Sequence, residues 1–395
     1  MNGRTCDIAI AGGGLAGGLI ALALAQARPD LSVRLIEGGD ALGGNHRWSW
    51  FASDLSEAGR TLLHPFRKTL WDQGNEVVFP GHRRQLSTSY HSLSSDDFAA
   101  ALERELPSGT VLLNRQISAL DAAGVTLANG ERITARAVID ARGFAPSAHL
   151  QGGWQVFMGR HLRTHAPHGL TRPIIMDASV EQLGGYRFVY VLPLGAHELL
   201  VEDTYYQDSP LLDRGALSAR IDLYCRQHGW DGTILGFETG VLPVITSGNV
   251  ARYLAQNTVP GVALAGARGL FSHPLTSYTL PFAVETALAI TADADLPGEQ
   301  LAAKLAARTR AHWAATGFYR LLGSMLFGAA LPHKRAKIFE RFYRLPQGLV
   351  ERFYAGTSTM SDKVRVLIGR PPVALHRALG ALFSKRPAHN QSEAL

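Results

Sequence analysis

The hydrophobic and polar positions at the start of the chain predict a strand, a glycine turn, a helix and a second strand. Residues 7–11 are small and mostly apolar, residues 19–27 are apolar over helical length, and residues 32–36 read as a strand that ends at Glu37. A buried strand that leads directly into a buried helix is typical of a β-α-β unit. We therefore expect residues 1–45 to form the first such unit of a parallel sheet.

The same apolar run has an alternative interpretation as a signal peptide or membrane anchor. Residues 8–25 carry no polar side chain, and Arg4 precedes them. Five glycines within the run would make a poor membrane-spanning helix, because each glycine costs about 1 kcal/mol in a helix interior. The strand–turn–helix interpretation is therefore favoured.

Further along the chain, the pattern predicts a second domain and then a return to the first. Residues 94–98 begin a helix, and residues 137–140 read as a buried parallel strand. Four strand-like runs then predict an antiparallel sheet: 155–159, 173–177, 186–193 and 198–203. Residues 213–227 are predicted to be helical, and residues 261–266 form another buried strand that rejoins the first domain.

The last third of the chain is predicted to be helical and rich in aromatic and basic residues. Residues 304–331 have a helical pattern, and Arg-Phe-Tyr occurs twice, at 341–343 and 352–354. The expected domains are a discontinuous nucleotide-binding domain (1–150 and 255–300), an inserted sheet domain (151–254), a helical region (301–385) and a flexible tail (386–395).

Composition narrows the classes of protein that remain. With 46% hydrophobic and 18% charged residues, the chain has the composition of a folded protein. The net charge of +6 suits a nucleic acid or an anionic lipid surface, but no nucleic-acid-binding motif is visible. Cys6 and Cys225 are too few for a disulfide framework or a metal site, which indicates buried thiols in a reducing cytoplasm.

The glycine turn carries the first candidate chemistry. Gly12, Gly14 and Gly17 form Gly-x-Gly-x-x-Gly, with Leu15 and Ala16 at the start of the helix, and Glu37 follows 20 residues after Gly17. Glycines in this pattern let a pyrophosphate approach the backbone at the helix N-terminus, and the acid binds a ribose hydroxyl. The pattern predicts a dinucleotide site.

Three later positions indicate that the bound dinucleotide is FAD rather than a nicotinamide dinucleotide. Asp140 and Arg142 end the strand at 137–140, and Gly266 ends the late strand. This spacing is that of flavoproteins of the glutathione-reductase type, in which a late segment returns to the cofactor. A two-domain NAD enzyme is the alternative.

Several motifs resemble those of the bacterial lycopene β-cyclase family almost from end to end. The matching stretches are Gly44-Asn45-His46-x-Trp48-Ser49, residues 167–170, 185–193 and 200–206, His273-Pro274, Tyr278-x-Leu280-Pro281, residues 341–346 and 352–356, and Asp362-Lys363. The segments at 186–193 and 202–206 and the Arg-Phe-Tyr repeats are far more specific than the glycine fingerprint.

The resemblance implies a proton-initiated, redox-neutral cyclisation of the acyclic ends of lycopene to β-rings, as a step of carotenoid biosynthesis. It implies Glu202 as the general acid, with a supporting role for Asp203. It also implies FAD that is active in its reduced form, NAD(P)H as the reductant, and cofactor contacts from Gly44, Asn45, Pro274 and Thr276.

The expected partners are lycopene and membrane lipid, with a peripheral position on the cytoplasmic face of a bacterial inner membrane. Contact with other carotenoid-pathway enzymes is left open. The basic and aromatic C-terminal region could lie at the membrane interface or pack as a helical cap on the main domain, and the sequence does not choose between these.

One position departs from the family pattern. Relatives typically have glycine where this chain has Ser277, near the flavin ring, so the contact at this position is expected to differ from theirs. Two other functions stay open: a flavin-dependent monooxygenase or isoprenoid reductase on the same fold, and a carotenoid-binding protein without activity.

Overall fold

A computed structural model describes residues 5–331, 334–368 and 387–389. The strands run in chain order: β1 (Thr5–Ala11), β2 (Val33–Ile36), β3 (Arg47–Phe51), β4 (Thr69–Trp71), β5 (Asn75–Phe79), β6 (His82–Leu86), β7 (Tyr90–Ser94), β8 (Val111–Leu112), β9 (Ile117–Asp121), β10 (Gly124–Leu127), β11 (Arg132–Asp140), β12 (Ser147–Thr164), β13 (Ile174–Asp177), β14 (Tyr186–Pro193), β15 (Glu198–Gln207), β16 (Gly232–Gly248), β17 (Val262–Leu264) and β18 (Ala388–His389).

The helices interrupt these strands and dominate the C-terminal third. They are α1 (Leu15–Ala27), α2 (Glu57–Leu62), α3 (Ser95–Glu105), α4 (Arg214–Gln227), α5 (Val250–Asn257), α6 (Leu280–Ala292), α7 (Gly298–Ala315), α8 (Gly317–Gly328), α9 (Arg335–Phe342), α10 (Gln347–Tyr354) and α11 (Met360–Leu367). No helix in the described ranges is both long and apolar enough to cross a membrane.

The first sheet is the predicted nucleotide-binding sheet. Its order is β8-β2-β1-β11-β10-β9, with β17 paired to β11, and the pairs among β8, β2, β1, β11 and β17 are parallel. The apolar N-terminal run divides into β1 at the centre of this sheet and α1 packed upon it, and both are almost wholly buried. A strand buried on both faces needs a continuous apolar run, which explains the sequence pattern.

The second sheet has the order β16-β12-β15-β14-β13-β5-β6, with β18 beside β12. All of its pairs are antiparallel except β13 with β5. Strands β5 and β6 come from residues 75–86, so a segment within the predicted 1–150 range contributes to the second sheet. A small sheet, β3-β7-β4, lies beside it.

The C-terminal helices pack on the second sheet through aromatic side chains. The ring of Tyr186 on β14 stacks on Phe339 of α9 with centroids 4.1 Å apart. Arg335, one of the basic residues considered for membrane contact, is 2% exposed and donates from Nη1 to the carbonyl of Tyr206 at 3.2 Å. The aromatic and basic character of α8–α10 therefore serves packing as a helical cap.

Two further expectations fall at the chain end. Ala388 and His389 of the predicted tail (386–395) pair with β12, and residues 386 and 390–395 lie outside the described residues, as do residues 369–385 of the predicted helical region.

Candidate active site

The glycine turn between β1 and α1 is shaped as the sequence predicts. Gly12 has φ +101°, and a Cβ there would lie 2.9 Å from the carbonyl carbon of Ala141. A Cβ on Gly17 would lie 1.9 Å from the carbonyl oxygen of Gly12, so this glycine allows the helix to pack on the turn. Gly14 is different, because no protein atom lies within 4 Å of a Cβ built there. It is the N-cap of α1 and lines a cavity.

Glu37 fixes the loop that follows β2. Its carboxylate accepts hydrogen bonds from the backbone N–H of Gly13 at 2.7 Å and of Gly39 at 2.7 Å. Both bonds hold the carboxylate beside the turn, where Glu37 also lines the cavity. Its position suits a contact with a ribose hydroxyl.

Asp140 and Arg142 form an ion pair with each other. The guanidinium of Arg142 donates to both carboxylate oxygens of Asp140, at 2.9 and 2.8 Å, and Arg268 lies 3.7 Å away. Burial alone would raise the pKa of Asp140, but the two arginines outweigh it and leave the pKa lowered. Arg142 lines the cavity, whereas Asp140 lies behind it and orients Arg142.

The loop at 273–278 closes the opposite side of the same cavity. The backbone N–H of Thr276 donates to Nδ1 of His273 at 3.1 Å, and the buried Oγ1 of Thr276 has no hydrogen-bond partner in the described protein. Ser277 has φ +58°, a backbone conformation that favours glycine. Thr276, Ser277 and Gly266 line the cavity, and Pro274 does not.

The cavity connects the glycine turn with the second sheet. Its volume is about 1570 Å³, which exceeds the roughly 300–1,000 Å³ that is usual for one small ligand. One end is lined by Gly14, Glu37, Gly44 and other residues of the nucleotide domain, and Asn45 lines it too. The space is large enough for a dinucleotide and a second ligand together.

Glu202 lies in the wall of this cavity on β15. Its Oε1 accepts a hydrogen bond from Oγ1 of Thr204 at 2.7 Å. Burial raises the pKa of Glu202 well above its usual range, and the neighbouring charge of Glu238 raises it further, against the hydrogen bond from Thr204. Both effects favour the protonated form of Glu202, which can donate a proton to a bound molecule.

Glu238 was not predicted as a site residue. It lies on β16, and its side chain extends over Gly159 of β12 toward Glu202. Its sequence neighbourhood carries no chemical motif, and the contact depends on the register of three strands. No local sequence pattern therefore indicates that Glu238 belongs to the site.

Asp203 points away from the cavity, as strand alternation predicts. Its carboxylate accepts from Nε of Arg187 at 2.7 Å and from the hydroxyl of Tyr205 at 3.1 Å, and it is 0% exposed. The pair holds β14 against β15, next to Glu202.

Aromatic side chains form much of the remaining wall near Glu202. Phe188 and Tyr190 share a face of β14 and line the cavity, while Tyr186 on the same face is buried in the core. Tyr190 lies opposite Glu202 in the strand register. The Tyr190 hydroxyl donates to Oγ of Ser49 at 2.9 Å, so this wall combines apolar rings with satisfied hydroxyls.

Two histidines and a tryptophan of the family motifs lie in different settings. His46 and Trp48 line the cavity, so both lie within reach of a ligand. His168 instead supports a loop, where its Nδ1 accepts from the N–H of Leu170 at 3.0 Å.

Comparison with known proteins identifies one family over nearly the whole chain. A family model described as "Lycopene cyclase protein" matches residues 7–380. The chain is 44% identical to a lycopene beta-cyclase of Pseudescherichia vulneris, over 96% of this chain and 98% of that protein. It is 42% identical to one of Paracoccus sp. (strain N81106 / MBIC 01143), over 96% and 97%, and 40% identical to one of Pantoea ananas, over 96% and 98%.

Solved structures are similar in fold at low identity. A geranylgeranyl bacteriochlorophyll reductase-like protein from Thermoplasma acidophilum has a TM-score of 0.59 at 14% identity, over 97% of this chain and 96% of that one. The flavin-dependent brominase Bmp2 has a TM-score of 0.60 at 14% identity, over 89% and 94%. The predicted fold, a Rossmann-type flavoprotein domain of α/β class with an inserted sheet and a helical C-terminal region, is confirmed.

Proposed function

This chain belongs to the lycopene cyclase family, and on that premise we propose that it is a lycopene β-cyclase. The reaction is the redox-neutral closure of the acyclic ends of lycopene to β-rings in carotenoid biosynthesis. The observation that carries the proposal is Glu202, a carboxyl with a raised pKa in the wall of a cavity that also reaches the glycine turn.

Glu202 is the general acid in this proposal. Its O–H bond breaks as a C–H bond forms at the terminal double bond of the substrate, which leaves a carbocation and the Glu202 carboxylate. The cation closes the ring by attack of a neighbouring double bond. Loss of a different proton from the ring then gives the β-ring, and the carboxylate is the base nearest to the reaction.

The aromatic wall protects and stabilises that cation. Phe188, Tyr190, Tyr206, Tyr278 and Tyr354 line the cavity. The faces of aromatic rings attract cations, and apolar surfaces keep out the water that would react with a carbocation. The hydroxyls of Tyr90 and Tyr278 hydrogen-bond to each other at 2.7 Å, so these polar groups are satisfied within the protein.

The residues at the other end of the cavity fit FAD. Gly12, Gly14 and the N-terminus of α1, where Leu15 and Ala16 lie, would hold the pyrophosphate, and Glu37 would bind a ribose hydroxyl. The unpartnered Oγ1 of Thr276 and the guanidinium of Arg142 give further polar groups along the cavity. When bound in its reduced, anionic form, the flavin supplies negative charge that stabilises a neighbouring carbocation.

NAD(P)H is proposed only as the source of electrons for that reduction. The sequence contains one Gly-x-Gly-x-x-Gly pattern, at Gly12–Gly17, so no second dinucleotide motif is assigned to it. Asp203 has a supporting role and does not contact the substrate. Its ion pair with Arg187 holds together β15, which carries Glu202, and β14, which carries Tyr190.

Attachment to the cytoplasmic membrane face is proposed for α11 and the residue after it. Met360, Val364, Leu367 and Ile368 are exposed apolar side chains, and Met360 is 73% exposed. Lys363 and Arg365 lie on the same short helix, which suits an anionic lipid surface. Flotation with phosphatidylglycerol vesicles should therefore fall when Met360 and Ile368 are both changed to serine, and Leu223→Ser, at an exposed site on α4, is the control.

The function is tested in a bacterial host that accumulates lycopene. The wild-type chain should convert lycopene to ring-closed products of unchanged mass, and Glu202→Gln should leave lycopene in the extract. Glu198→Gln is the matched control, because it removes a carboxylate from the same face of β15 at a surface ion pair with Arg163. Unchanged lycopene with folded, wild-type protein would contradict the proposal.

A second measurement separates the cyclase from a redox enzyme on the same fold. Purified protein that has been loaded with reduced flavin should form many rings without a matching loss of NAD(P)H. Consumption of one NAD(P)H for each product molecule would instead favour the monooxygenase or isoprenoid reductase interpretation.

A further inference from the structure

Gly159 separates two carboxyl side chains on neighbouring strands. In the strand register it lies opposite Glu202 of β15 on one side and opposite Glu238 of β16 on the other. A Cβ on Gly159 would lie 2.7 Å from Cγ of Glu238 and 3.0 Å from its Oε1. The side chain of Glu238 therefore occupies the space over Gly159 and extends toward Glu202.

The two carboxyl groups lie side by side across Gly159, and a hydrogen bond between them requires one of them to be protonated. Two adjacent carboxylates repel each other in a buried site, which favours a pair that retains one proton. The shared proton can lie on either Glu202 or Glu238.

The charge of Arg47 on β3 favours the position of that proton on Glu202 rather than on Glu238. Burial raises the pKa of Glu238, and the charge of Arg47 opposes this rise without cancelling it. At Glu202 the largest effects after burial come from Glu238 and the Thr204 hydroxyl, and Asp203 on the opposite face of β15 adds a further negative charge. Tyr190 of β14 lies opposite Glu202 in the strand register. His161, further along β12, faces Arg47 and Glu198, and burial lowers its pKa.

We propose that Glu238 is a positioning residue that acts through Glu202: as a carboxylate favoured by the positive charge of Arg47, it keeps the catalytic proton on the carboxyl that lines the cavity. This inference rests on the proposed function. Glu238 itself does not line the cavity, so it acts on the substrate only through its partner.

The proton balance of one turnover is consistent with this role. Glu202 gives its proton to the substrate, and the pair then holds two negative charges side by side. Their repulsion makes the Glu202 carboxylate a stronger base, which favours recovery of a proton from the ring. The pair ends with the one proton with which it began, and no external acid is consumed.

The test is the pH dependence of the cyclisation rate. Purified wild type and Glu238→Gln, both loaded with reduced flavin, are assayed between about pH 5.5 and 9 with lycopene in liposomes. Glutamine keeps the shape of the side chain but removes the charge, so the pKa of Glu202 should fall. Because the protonated form of Glu202 is active, the alkaline limb of the rate profile should move at least about one pH unit lower, and the rate at the acid end should be retained.

Gly159→Ala tests the same contact without removing a charge. Its Cβ would displace Glu238 from Glu202, so the alkaline limb should move in the same direction. Gly236→Ala is the control on β16, because a Cβ there meets no atom within 4 Å, and its profile should match the wild type.

The outcomes separate this inference from the proposed function. A uniform loss of rate at every pH in Glu238→Gln, or an unshifted alkaline limb, would overturn the role of Glu238 while cyclisation by wild type still supports the cyclase. Absence of any ring-closed product from wild type would instead contradict the proposed function itself.

Discussion

Ser277 adopts a backbone conformation for which its side chain is poorly suited. Its φ of +58° lies in the left-handed region, and its Oγ donates to the carbonyl of Pro243 at 3.2 Å. The expectation from sequence was that a glycine normally occupies this position, and the structure gives the physical reason. The chain keeps the glycine-like conformation and offsets part of its cost with a hydrogen bond.

We therefore predict that Ser277→Gly changes the free energy of unfolding by less than about 1 kcal/mol, because relief of strain offsets the lost hydrogen bond and the added chain entropy. Ser277→Val should destabilise by about 2 kcal/mol or more, since a β-branched residue tolerates this conformation worst. Urea unfolding of the two variants measures both values. A valine variant as stable as wild type would show that the loop adopts another conformation.

Glu202 and Glu238 show the limit of sequence reasoning at the residue scale. The sequence places Glu202 at the end of an apolar strand within a family-specific motif, which is a local signal. The side chain of Glu238 can extend toward Glu202 only because Gly159, between β15 and β16, has no side chain. That contact joins three strands, so no local pattern indicates it.

At the scale of the strand–turn–helix element, two glycines of the Gly-x-Gly-x-x-Gly motif have different roles. A Cβ on Gly17 would collide with the turn at 1.9 Å, whereas a Cβ on Gly14 meets no protein atom within 4 Å. Gly17 is thus needed for folding, and Gly14 leaves open space at the N-terminus of α1, where a pyrophosphate would approach.

The two variants Gly14→Ala and Gly17→Ala distinguish the role in cofactor binding from the role in folding. Gly14→Ala should unfold in urea like the wild-type apoprotein but bind FAD at least about tenfold more weakly, as measured by quenching of flavin fluorescence. Gly17→Ala should lower the stability of the apoprotein itself. Wild-type FAD affinity in Gly14→Ala would mean that the pyrophosphate does not approach this turn.

The loop at 273–278 depends on a neutral histidine. Nδ1 of His273 accepts from the N–H groups of Leu275 at 3.3 Å and Thr276 at 3.1 Å, and the residue is 0% exposed. Burial lowers the pKa of His273 to about 3. An unfolded histidine has a pKa near 6.5, so the unfolded chain binds the proton first as the pH falls.

Stability should consequently decrease as the pH falls below about 6.5, by up to about 1.4 kcal/mol per pH unit from this residue alone. His273→Asn keeps a hydrogen-bond acceptor but does not titrate, so its unfolding free energy should fall less steeply between pH 6 and 4. Urea unfolding across this pH range measures both slopes. Equal slopes would show that His273 is already protonated in the folded protein.

Elements that are local in the chain were the most predictable. The β1–α1 unit follows from its own apolar run, and α4 begins, as expected, at the N-cap Asp213. The pairing of β5 with β13 was not expected, because the two strands lie about 100 residues apart in the sequence and a parallel pair leaves no turn signal. No local pattern predicts the burial of Arg335, because the carbonyl of Tyr206 that accepts its hydrogen bond comes from a distant strand.

On the scale of the whole molecule, the cavity is assembled from three parts of the chain. The nucleotide sheet supplies Gly14 and Glu37, the second sheet supplies Glu202, and the helical cap supplies Phe339 and Tyr354. Each part contributes one requirement of the proposed reaction: cofactor binding, proton donation and exclusion of water. The sequence predicts each part separately, but only their packing shows that they enclose one space.

The cap should therefore control the fate of the carbocation. Phe339 lines the cavity and stacks on Tyr186 at 4.1 Å, so Phe339→Ala would open a path for water beside the aromatic wall. Water that reaches the cation forms an alcohol instead of losing a proton. We predict a product that is one water heavier than lycopene, visible by mass spectrometry of pigments from the lycopene-accumulating host, together with less β-ring product. Phe342→Ala, on the same helix but outside the cavity lining, should give no alcohol. If Phe339→Ala yields only ring-closed hydrocarbon at a reduced rate, the cap supports the fold without keeping water from the cation.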